Sequence, residues 1–287
     1  MNRLDVKKTY KLYIGGKFPR SESGHTLAVT DPNGKHLAHV AQASRKDARD
    51  AVVAARAAQP GWAGATAYNR GQVLYRIAEM LEGRHTQFVD EIRKSEGASS
   101  RQAAKQVDAA IDTWVWFAGW ADKYAQLSGQ SNPVAGPYFN LSVPEPTGVV
   151  VAWAPEAPSG ASLLGFVETV APIITSGNSV VVLSHPSQPL PAMSAAEVLH
   201  SSDVPGGVVN ILTGQRDGMG PWLAGHADVN ALDLSGATDV DWASVQAEAA
   251  GTLKRVVTPL SGLNSQSLAR ITAFTEVKTI WHTKALG

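Results

Sequence analysis

The stretch from Gly148 to Val182 constrains the fold most, because strand, loop, helix and strand signals follow one another within it. The run Val149 to Trp153 is short, apolar and rich in β-branched residues, as in a strand that is buried on both faces. Apolar residues then recur at helical spacing from Ser159 to Ile174, and Gly177-Asn178 predicts the end of that helix. A second apolar strand follows at Val180. The stretch therefore predicts one βαβ unit.

The same alternation continues on the C-terminal side of this unit. Strands that alternate with helices are typical of a doubly wound parallel sheet, so the predicted fold class is α/β. The predicted elements are a helix at Leu190–Ser202, a strand at Val208–Leu212, a helix at Gly218–Gly225, a strand at Val229–Leu234, a helix at Thr238–Ala250 and a strand at Arg255–Leu260.

Residues 11 to 42 are predicted to form short strands packed on the outside of a larger body, and the residues after them to form helices. Ser44 and Asp47 have the spacing of a capping box, which predicts a helix that extends to Pro60. Two longer helices are predicted, from about Tyr68 to Lys94 and from about Ser100 to Leu127. The second of these carries aromatic residues that we interpret as core, namely Trp114, Trp116, Phe117 and Trp120.

The composition limits the classes of function. The 287 residues carry 25 basic and 25 acidic side chains, so a net charge of zero gives no broad electrostatic footprint for nucleic acid or an anionic membrane. No apolar run has the length of a membrane span or a signal peptide, so a cytoplasmic location is expected. The eight histidines show no pairing such as HExxH, and no metal site is expected. Cysteine is absent, which excludes disulfides and a thiol nucleophile.

Short motifs recur along nearly the whole chain. They are Leu12 to Phe18, Asp31 to Gly34, Ala54 to Ala58 with Gly61-Trp62, Phe117 to Lys123, Gly136 to Asn140, Glu145 to Val150, Val204 to Asn210 and Gly236 to Val240. Each motif alone is weak, but in this order and at these intervals they resemble the aldehyde dehydrogenase superfamily. The resemblance implies a Rossmann-like nucleotide-binding domain and a small β arm that mediates oligomerisation in the family.

The resemblance also implies that the catalytic domain of the family is absent. In the family this domain lies between a strand that ends near Pro259-Leu260 and a closing strand, whereas only Ser261 to Ser267 lie in that gap here. The Rossmann-like domain would then comprise residues 1–127 and 146–262, and the oligomerisation arm residues 128–145 and 263–287. Within the arm, the strand Tyr138 to Val143 is expected to pair with a strand that begins at Phe274.

Three catalytic groups of the family have no counterpart in this sequence. Members of the family attack the aldehyde with a cysteine thiolate, and this chain has no cysteine. The asparagine that holds the family's oxyanion aligns with Glu156, whose carboxylate would repel the developing negative charge. The family's glutamate base aligns with Pro259. The resemblance thus implies a protein without the family's oxidation chemistry.

The positions that bind the nicotinamide dinucleotide in the family are altered as well. The lysine that contacts the ribose or the 2′-phosphate aligns with Leu183, and an acidic residue three positions further on aligns with Pro186. The family's Gly-Ser-Thr-x-Val-Gly turn corresponds to Gly236 to Asp241. It would place two acids in the first turn of the next helix, where they compete with phosphate. No NAD(P) cofactor is therefore expected.

The sequence favours a pseudoenzyme, a catalytically inactive aldehyde dehydrogenase-like subunit that assembles with itself or with a full-length aldehyde dehydrogenase. An incomplete module of similar pattern stands second in the family-16 aldehyde dehydrogenases. Two alternatives are an NAD(P)-dependent aldehyde dehydrogenase, which the missing cysteine opposes, and a nucleotide-binding sensor module. The residues expected to mediate oligomerisation are Tyr138, Asn140, Ser142, Phe274, Glu276, Val277, Lys278 and Ile280.

Overall fold

The computed structural model describes residues 6–155, 162–238, 240–259 and 265–284. Within these residues no helix combines the length and the apolar character needed to cross a membrane. The strands are β1 (Thr9–Tyr10), β2 (Thr26–Thr30), β3 (His36–Ala41), β4 (Gln130–Asn132), β5 (Tyr138–Pro146), β6 (Val149–Trp153), β7 (Ser179–Leu183), β8 (Val209–Leu212), β9 (Ala231–Asp233), β10 (Arg255–Val257) and β11 (Thr275–Thr283). The helices are α1 (Arg45–Gly64), α2 (Ala67–Glu82), α3 (His85–Glu96), α4 (Ser100–Trp120), α5 (Tyr124–Ser128), α6 (Ser162–Thr175), α7 (Leu190–His200), α8 (Gly220–Gly225), α9 (Trp242–Ala250) and α10 (Leu268–Thr272).

A five-stranded parallel sheet lies at the centre of the protein, in the order β10-β9-β6-β7-β8. This order confirms the predicted doubly wound α/β fold. The strands β6 and β7 are buried along their whole length because helices cover both faces of the sheet. One face, with Val150 and Val182, packs against α2, α4, α6 and α7. The other face, with Val151 and Leu183, packs against α1, α8 and α9.

The first predicted helix is present but ends later than expected. The capping box of Ser44 and Asp47 is confirmed, and α1 continues through Pro60 to Gly64. Trp62 explains the additional turn. Its indole is buried, and its Nε1 donates to the carbonyl of Ile174 at 2.8 Å, so tertiary packing holds the residues that follow the proline.

Each of the two longer predicted helices is divided into two. Gly83 and Arg84 separate α2 from α3, and residues 121–123 separate α4 from α5. Glycine disfavours the helix interior, and Gly83 forms the C-cap of α2 with its N–H bonded to the carbonyl of Glu79. The aromatic residues Trp114 and Phe117 of α4 are buried in the core, as predicted.

A second sheet, in the order β11-β5-β4, forms the arm. The strands β5 and β11 pair antiparallel from Tyr138 with Thr283 to Pro146 with Thr275, which confirms the predicted pairing. The last strand begins at Thr275, one residue later than expected. Phe274 lies instead in the core, with 1% of its surface exposed, in the same buried cluster as Ile271 of α10.

The central sheet and the arm are joined by a short connection. The strand β10 ends at Val257 and α10 begins at Leu268, so residues 258–267 form the whole link. The helix α10 then packs against α6, and its Ile271 is fully buried. The polypeptide therefore returns from the sheet to the arm without an intervening domain.

The side chain of Asn178 holds the arm to the central sheet. It is fully buried in the turn between α6 and β7. Its Oδ1 accepts the N–H of Gly148 at 2.7 Å, and its Nδ2 donates to Ser176 Oγ and to the carbonyl of Phe274, each at 2.8 Å. One amide thus joins the start of β6, the end of α6 and the residue before β11.

Replacement of Asn178 by Ala should lower the free energy of unfolding by about 3 kcal/mol, because each buried group left without its hydrogen bond costs about 1–3 kcal/mol. Urea denaturation measures the loss. The control variant Ser176→Ala removes one of the three partners and should cost about 1 kcal/mol. Equal losses in the two variants would contradict this role of Asn178.

Candidate functional site

The carboxyl ends of β6, β7 and β9 meet at one edge of the central sheet. Ligands of doubly wound proteins bind at this edge, beside the point where the strand order reverses. In this protein that point lies between β6 and β9. The backbone segments at the edge are Trp153 to Pro155 after β6, Leu183 to Pro186 after β7 and Leu234 to Thr238 after β9.

Arg216 covers the ends of β6 and β7. It belongs to the loop after β8, and only 1% of its surface is exposed. Its Nη2 donates to the carbonyls of Ala154 at 2.5 Å and Leu183 at 3.2 Å. Its Nε donates to the carbonyl of Ser184 at 3.2 Å. A planar guanidinium with several donors suits such a cluster of carbonyls, so the chain's own cation satisfies the ends of two central strands.

Gly236 brings the loop after β9 against the loop after β6. A Cβ on Gly236 would lie 2.5 Å from the backbone nitrogen of Pro155 and would also collide with the carbonyl oxygen of Trp153. No side chain fits there, so this position requires glycine. The neighbouring Ala237 is buried. The two loops are therefore in direct backbone contact at the point where the strand order reverses.

Asp241 caps the helix that follows this loop. The helix α9 begins at Trp242, so Asp241 precedes the first turn instead of lying in it, as the sequence had suggested. Its Oδ1 accepts the N–H of Ala243 at 3.1 Å. Such an N-cap satisfies one of the free N–H groups that a helix N-terminus would otherwise offer to an anion. Asp239, the other expected acid, lies outside the described residues.

A buried aspartate at the end of β9 is paired with the C-terminal segment. Asp233 is 1% exposed, and its Oδ1 accepts the N–H of Ser235 at 2.9 Å. Arg270 of α10 places its Nη2 at 3.8 Å from Asp233 Oδ2, and the same nitrogen donates to the carbonyl of Glu168 at 3.1 Å. Because buried charges need partners, this contact ties α10 to the sheet edge and to α6.

The ranges described by the structure contain no group of three or more His, Cys, Asp or Glu side chains placed to hold a metal ion. His185, which follows β7, shares a hydrogen bond of 2.7 Å between its Nδ1 and Ser187 Oγ. Arg216, Asp233 and Asp241 thus form hydrogen bonds within the protein at this edge, whereas Trp153 Nε1 and Asp233 Oδ2 are buried there without a hydrogen-bond partner among the residues that the structure describes.

Residues 18–272 match the model of the aldehyde dehydrogenase family. The chain belongs to this family. It is 31% identical over 260 residues to the mitochondrial benzaldehyde dehydrogenase of Antirrhinum majus, covering 88% of this chain and 47% of that protein. It is likewise 31% identical over 268 residues to retinal dehydrogenase 2 of Homo sapiens, covering 90% of this chain and 50% of that protein.

The fold comparison agrees with the family assignment. The crystal structure of an NAD-dependent aldehyde dehydrogenase from Sinorhizobium meliloti superposes with a TM-score of 0.79 at 26% identity. The superposition covers 88% of this chain and 50% of that one. The chain therefore spans about half the length of the aldehyde dehydrogenases it matches.

The cofactor positions singled out in the sequence lie at or after the ends of β7 and β9 at the carboxyl edge of the central sheet, whereas Pro259 follows β10 at the side of the sheet. Leu183 is the last residue of β7 and is fully buried, and its carbonyl is one of the acceptors of Arg216. Pro186 lies half-buried in the turn after β7. Pro259 is exposed and follows β10, the outermost strand of the sheet. Glu156 lies outside the described residues.

The arm positions lie on the two faces of the β11-β5-β4 sheet. Asn140 is buried, and Asn132 Nδ2 donates to Asn140 Oδ1 and, at 2.8 Å, to Ser142 Oγ. Phe274 lies in the core and takes no part in the surface of the arm. The register places Tyr138, Asn140, Ser142 and Val277 on one face and Glu276, Lys278 and Ile280 on the other.

The structure also shows exposed apolar side chains on the arm that the sequence reasoning missed. Phe139 is 54% exposed and Trp281 is 59% exposed, and Leu141 and Val143 are exposed as well. Phe139, Leu141, Val143 and Ile280 share one face, which we call the apolar arm face. The alternation of these residues with Asn140 and Ser142 along β5 was the signal that could have revealed it.

Replacement of Arg216 by Lys should lower the free energy of unfolding by about 2 kcal/mol, because one ammonium cannot serve the carbonyls of both strand ends. Thermal and urea denaturation measure the loss. Arg45→Lys is the matched control, since the exposed Arg45 donates its Nε to the carbonyl of Gly218 in the same loop at 3.0 Å. The control should change the stability by less than about 0.5 kcal/mol. A loss in the Arg216 variant no larger than that would contradict its role.

Proposed function

We propose that this protein is a pseudoenzyme of the aldehyde dehydrogenase family, a subunit that performs no oxidation and acts by assembly through its arm. The observation that carries the proposal is the short link of residues 258–267, which joins the central sheet directly to an intact arm. The partner is a second copy of this chain or a full-length aldehyde dehydrogenase, and the role is structural or regulatory. A cytoplasmic location belongs to the same proposal.

The absence of catalysis follows from the chemistry of aldehyde oxidation. The reaction needs a nucleophile that adds to the carbonyl carbon, a donor that stabilises the oxyanion and a base that activates water. The chain contains no cysteine, and the base position holds Pro259, whose side chain accepts no proton. Glu156 at the oxyanion position would oppose the negative charge instead of stabilising it.

The geometry at the carboxyl edge of the central sheet supports the proposal that this chain binds no dinucleotide. The relative from Sinorhizobium meliloti is described as NAD-dependent. In the present chain the corresponding edge carries Arg216 on the strand carbonyls, Leu183 in place of a lysine, and Asp241 as the cap of α9. An incoming phosphate would meet a capped helix and a guanidinium that already has its acceptors.

The role of the arm is supported by its exposed apolar surface. The apolar arm face and the opposite face with Val277 and Trp281 together present large apolar side chains on a three-stranded sheet. Contiguous apolar patches of this kind mark interaction sites on proteins. An ion pair between Lys278 Nζ and Glu145 Oε1 at 3.0 Å lies at one end of the apolar arm face and gives it a polar rim.

The purified protein should produce no NADH from aldehydes. Incubation with NAD+ and a panel of aliphatic and aromatic aldehydes, followed by absorbance at the NADH band, should give the rate of a blank without enzyme. A full-length, cysteine-bearing aldehyde dehydrogenase run in parallel provides the positive control. Turnover that depends on both aldehyde and this protein would contradict the proposal.

The protein, tagged and recovered gently from its native host, should bring a partner with it in a fixed ratio. The intact mass of that partner should identify it as a second copy of this chain or as a full-length aldehyde dehydrogenase. The double variant Val277→Lys with Ile280→Lys should lose that partner, because it places charge on both faces of the arm. Val53→Lys is the matched control, since Val53 is 57% exposed on α1, outside the arm. If the double variant keeps the assembly mass of the wild-type protein, the proposed role of the arm in assembly is wrong.

A further inference from the structure

The outer edge of β11 has no neighbouring strand among the described residues, because β11 stands at the end of the order β11-β5-β4. We propose that this edge pairs antiparallel with the same edge of a second copy, about a two-fold axis at Thr279. The inference rests on the proposed assembly role and specifies its partner and register. A continuous six-stranded sheet would then run through both arms.

The hydrogen-bond pattern decides which residues face that edge. In an antiparallel pair, residues that exchange hydrogen bonds with the partner strand alternate with residues whose N–H and C=O point away from it. The N–H of Lys284 donates to Pro137 at 2.7 Å, and the carbonyl of Phe274 accepts from Thr147 at 3.1 Å. These two pairs, Lys284 with Pro137 and Phe274 with Thr147, continue the pairing register of β11 with β5 at its two ends. The even-numbered residues of β11 therefore bond to β5, and the odd-numbered ones face outwards.

The outward-facing residues are accessible over most of the strand. Val277 is 62% exposed and Trp281 is 59% exposed, and Thr279 between them is exposed as well. Thr275 is buried and its Oγ1 donates to the carbonyl of Thr272 at 3.0 Å, so the first residue of the strand is covered. The segment from Val277 to Trp281 is thus the part of the edge that offers free N–H and C=O groups to another chain.

The side chains of β11 are complementary to themselves about Thr279. In that register Val277 of one copy lies opposite Trp281 of the other, and an aromatic residue beside a β-branched one is a favourable cross-strand pair. Glu276 lies opposite His282, and Thr279 opposite Thr279. The three central pairs would exchange about six backbone hydrogen bonds, two for each pair.

Neighbouring registers are less favourable. A two-fold axis at Lys278 would place the two Lys278 side chains directly opposite each other, and like charges in that position are destabilising. An axis at Ile280 would place Lys278 opposite His282 and would remove the pairing of Val277 with Trp281. The register at Thr279 also allows the longest overlap of the two strands.

The lack of cysteine in the chain makes the register directly measurable. The variant Thr279→Cys should form an intermolecular disulfide under mild oxidation, because directly opposite residues of a hydrogen-bonded pair have Cα atoms about 5.5 Å apart, within disulfide range. The matched control is Val277→Cys on the same face, whose two copies would be offset by about 14 Å along the strands. Equal cross-linking of both variants, or none in Thr279→Cys, would overturn the register.

The role of the backbone edge is tested by Thr279→Pro. Proline removes the outward N–H of residue 279 and leaves the backbone hydrogen bonds to β5 intact, as edge strands tolerate. The contact of Thr279 Oγ1 with Ser142 Oγ at 3.3 Å is lost equally in Thr279→Val. The wild-type protein should be a dimer in analytical ultracentrifugation, Thr279→Pro a monomer, and Thr279→Val a dimer. Circular dichroism checks that the variants are folded, and the cross-linking result stands independently if the proline variant is not.

The outcomes separate this inference from the proposed function. A wild-type protein that remains a monomer at high concentration but recovers a full-length aldehyde dehydrogenase from the host would overturn self-pairing and leave the subunit role in place. A dimer cross-linked through Thr279→Cys together with aldehyde-dependent NADH production would support self-pairing and remove the pseudoenzyme role.

Discussion

Parallel strands leave backbone carbonyls at their carboxyl ends, and the protein depends on satisfying these groups without help from outside the chain. Arg216 serves the ends of β6 and β7, and Arg270 lies beside the buried Asp233 at the end of β9. Arg216 is 1% exposed and Arg270 is partly buried, and the cost of an unpaired polar group rises with burial. At the edge that holds a ligand in other doubly wound folds, the ends of β6 and β7 are therefore bonded by a side chain of the chain itself.

The arm, in contrast, exposes polar backbone groups and apolar side chains. Its inner connections are complete, since Asn178 binds the carbonyl of Phe274 and α10 packs against α6. Its outer edge and its faces carry apolar side chains and backbone groups that the described residues leave open. These exposed groups give the arm a capacity for protein association, which is why the functional proposal rests on the arm.

The sequence predicted the βαβ unit, the parallel sheet and the pairing of β5 with β11, because these depend on local periodicity and on motif order. The role of Arg216 was not predictable in the same way. An arginine in a polar loop has the pattern of a solvated residue, and its three acceptors lie 32 to 62 positions away in the chain. The burial of Phe274 and the continuation of α1 beyond Pro60 were missed for the same reason, since both depend on packing against distant residues.

Even-numbered and odd-numbered residues alternate along β11 and direct their backbone groups to opposite edges of the strand. Even-numbered residues hold β11 to β5, so their backbone groups stabilise the arm within one chain. Odd-numbered residues offer their backbone groups to the outside, while the side chains of Thr279 and Trp281 also contact Ser142 and Tyr138 of β5. An unprotected edge of this kind invites uncontrolled pairing in most proteins. A strand whose side chains match a second copy in one register limits that risk, because slipping by one residue on either side brings two lysines together or breaks the pairing of valine with tryptophan.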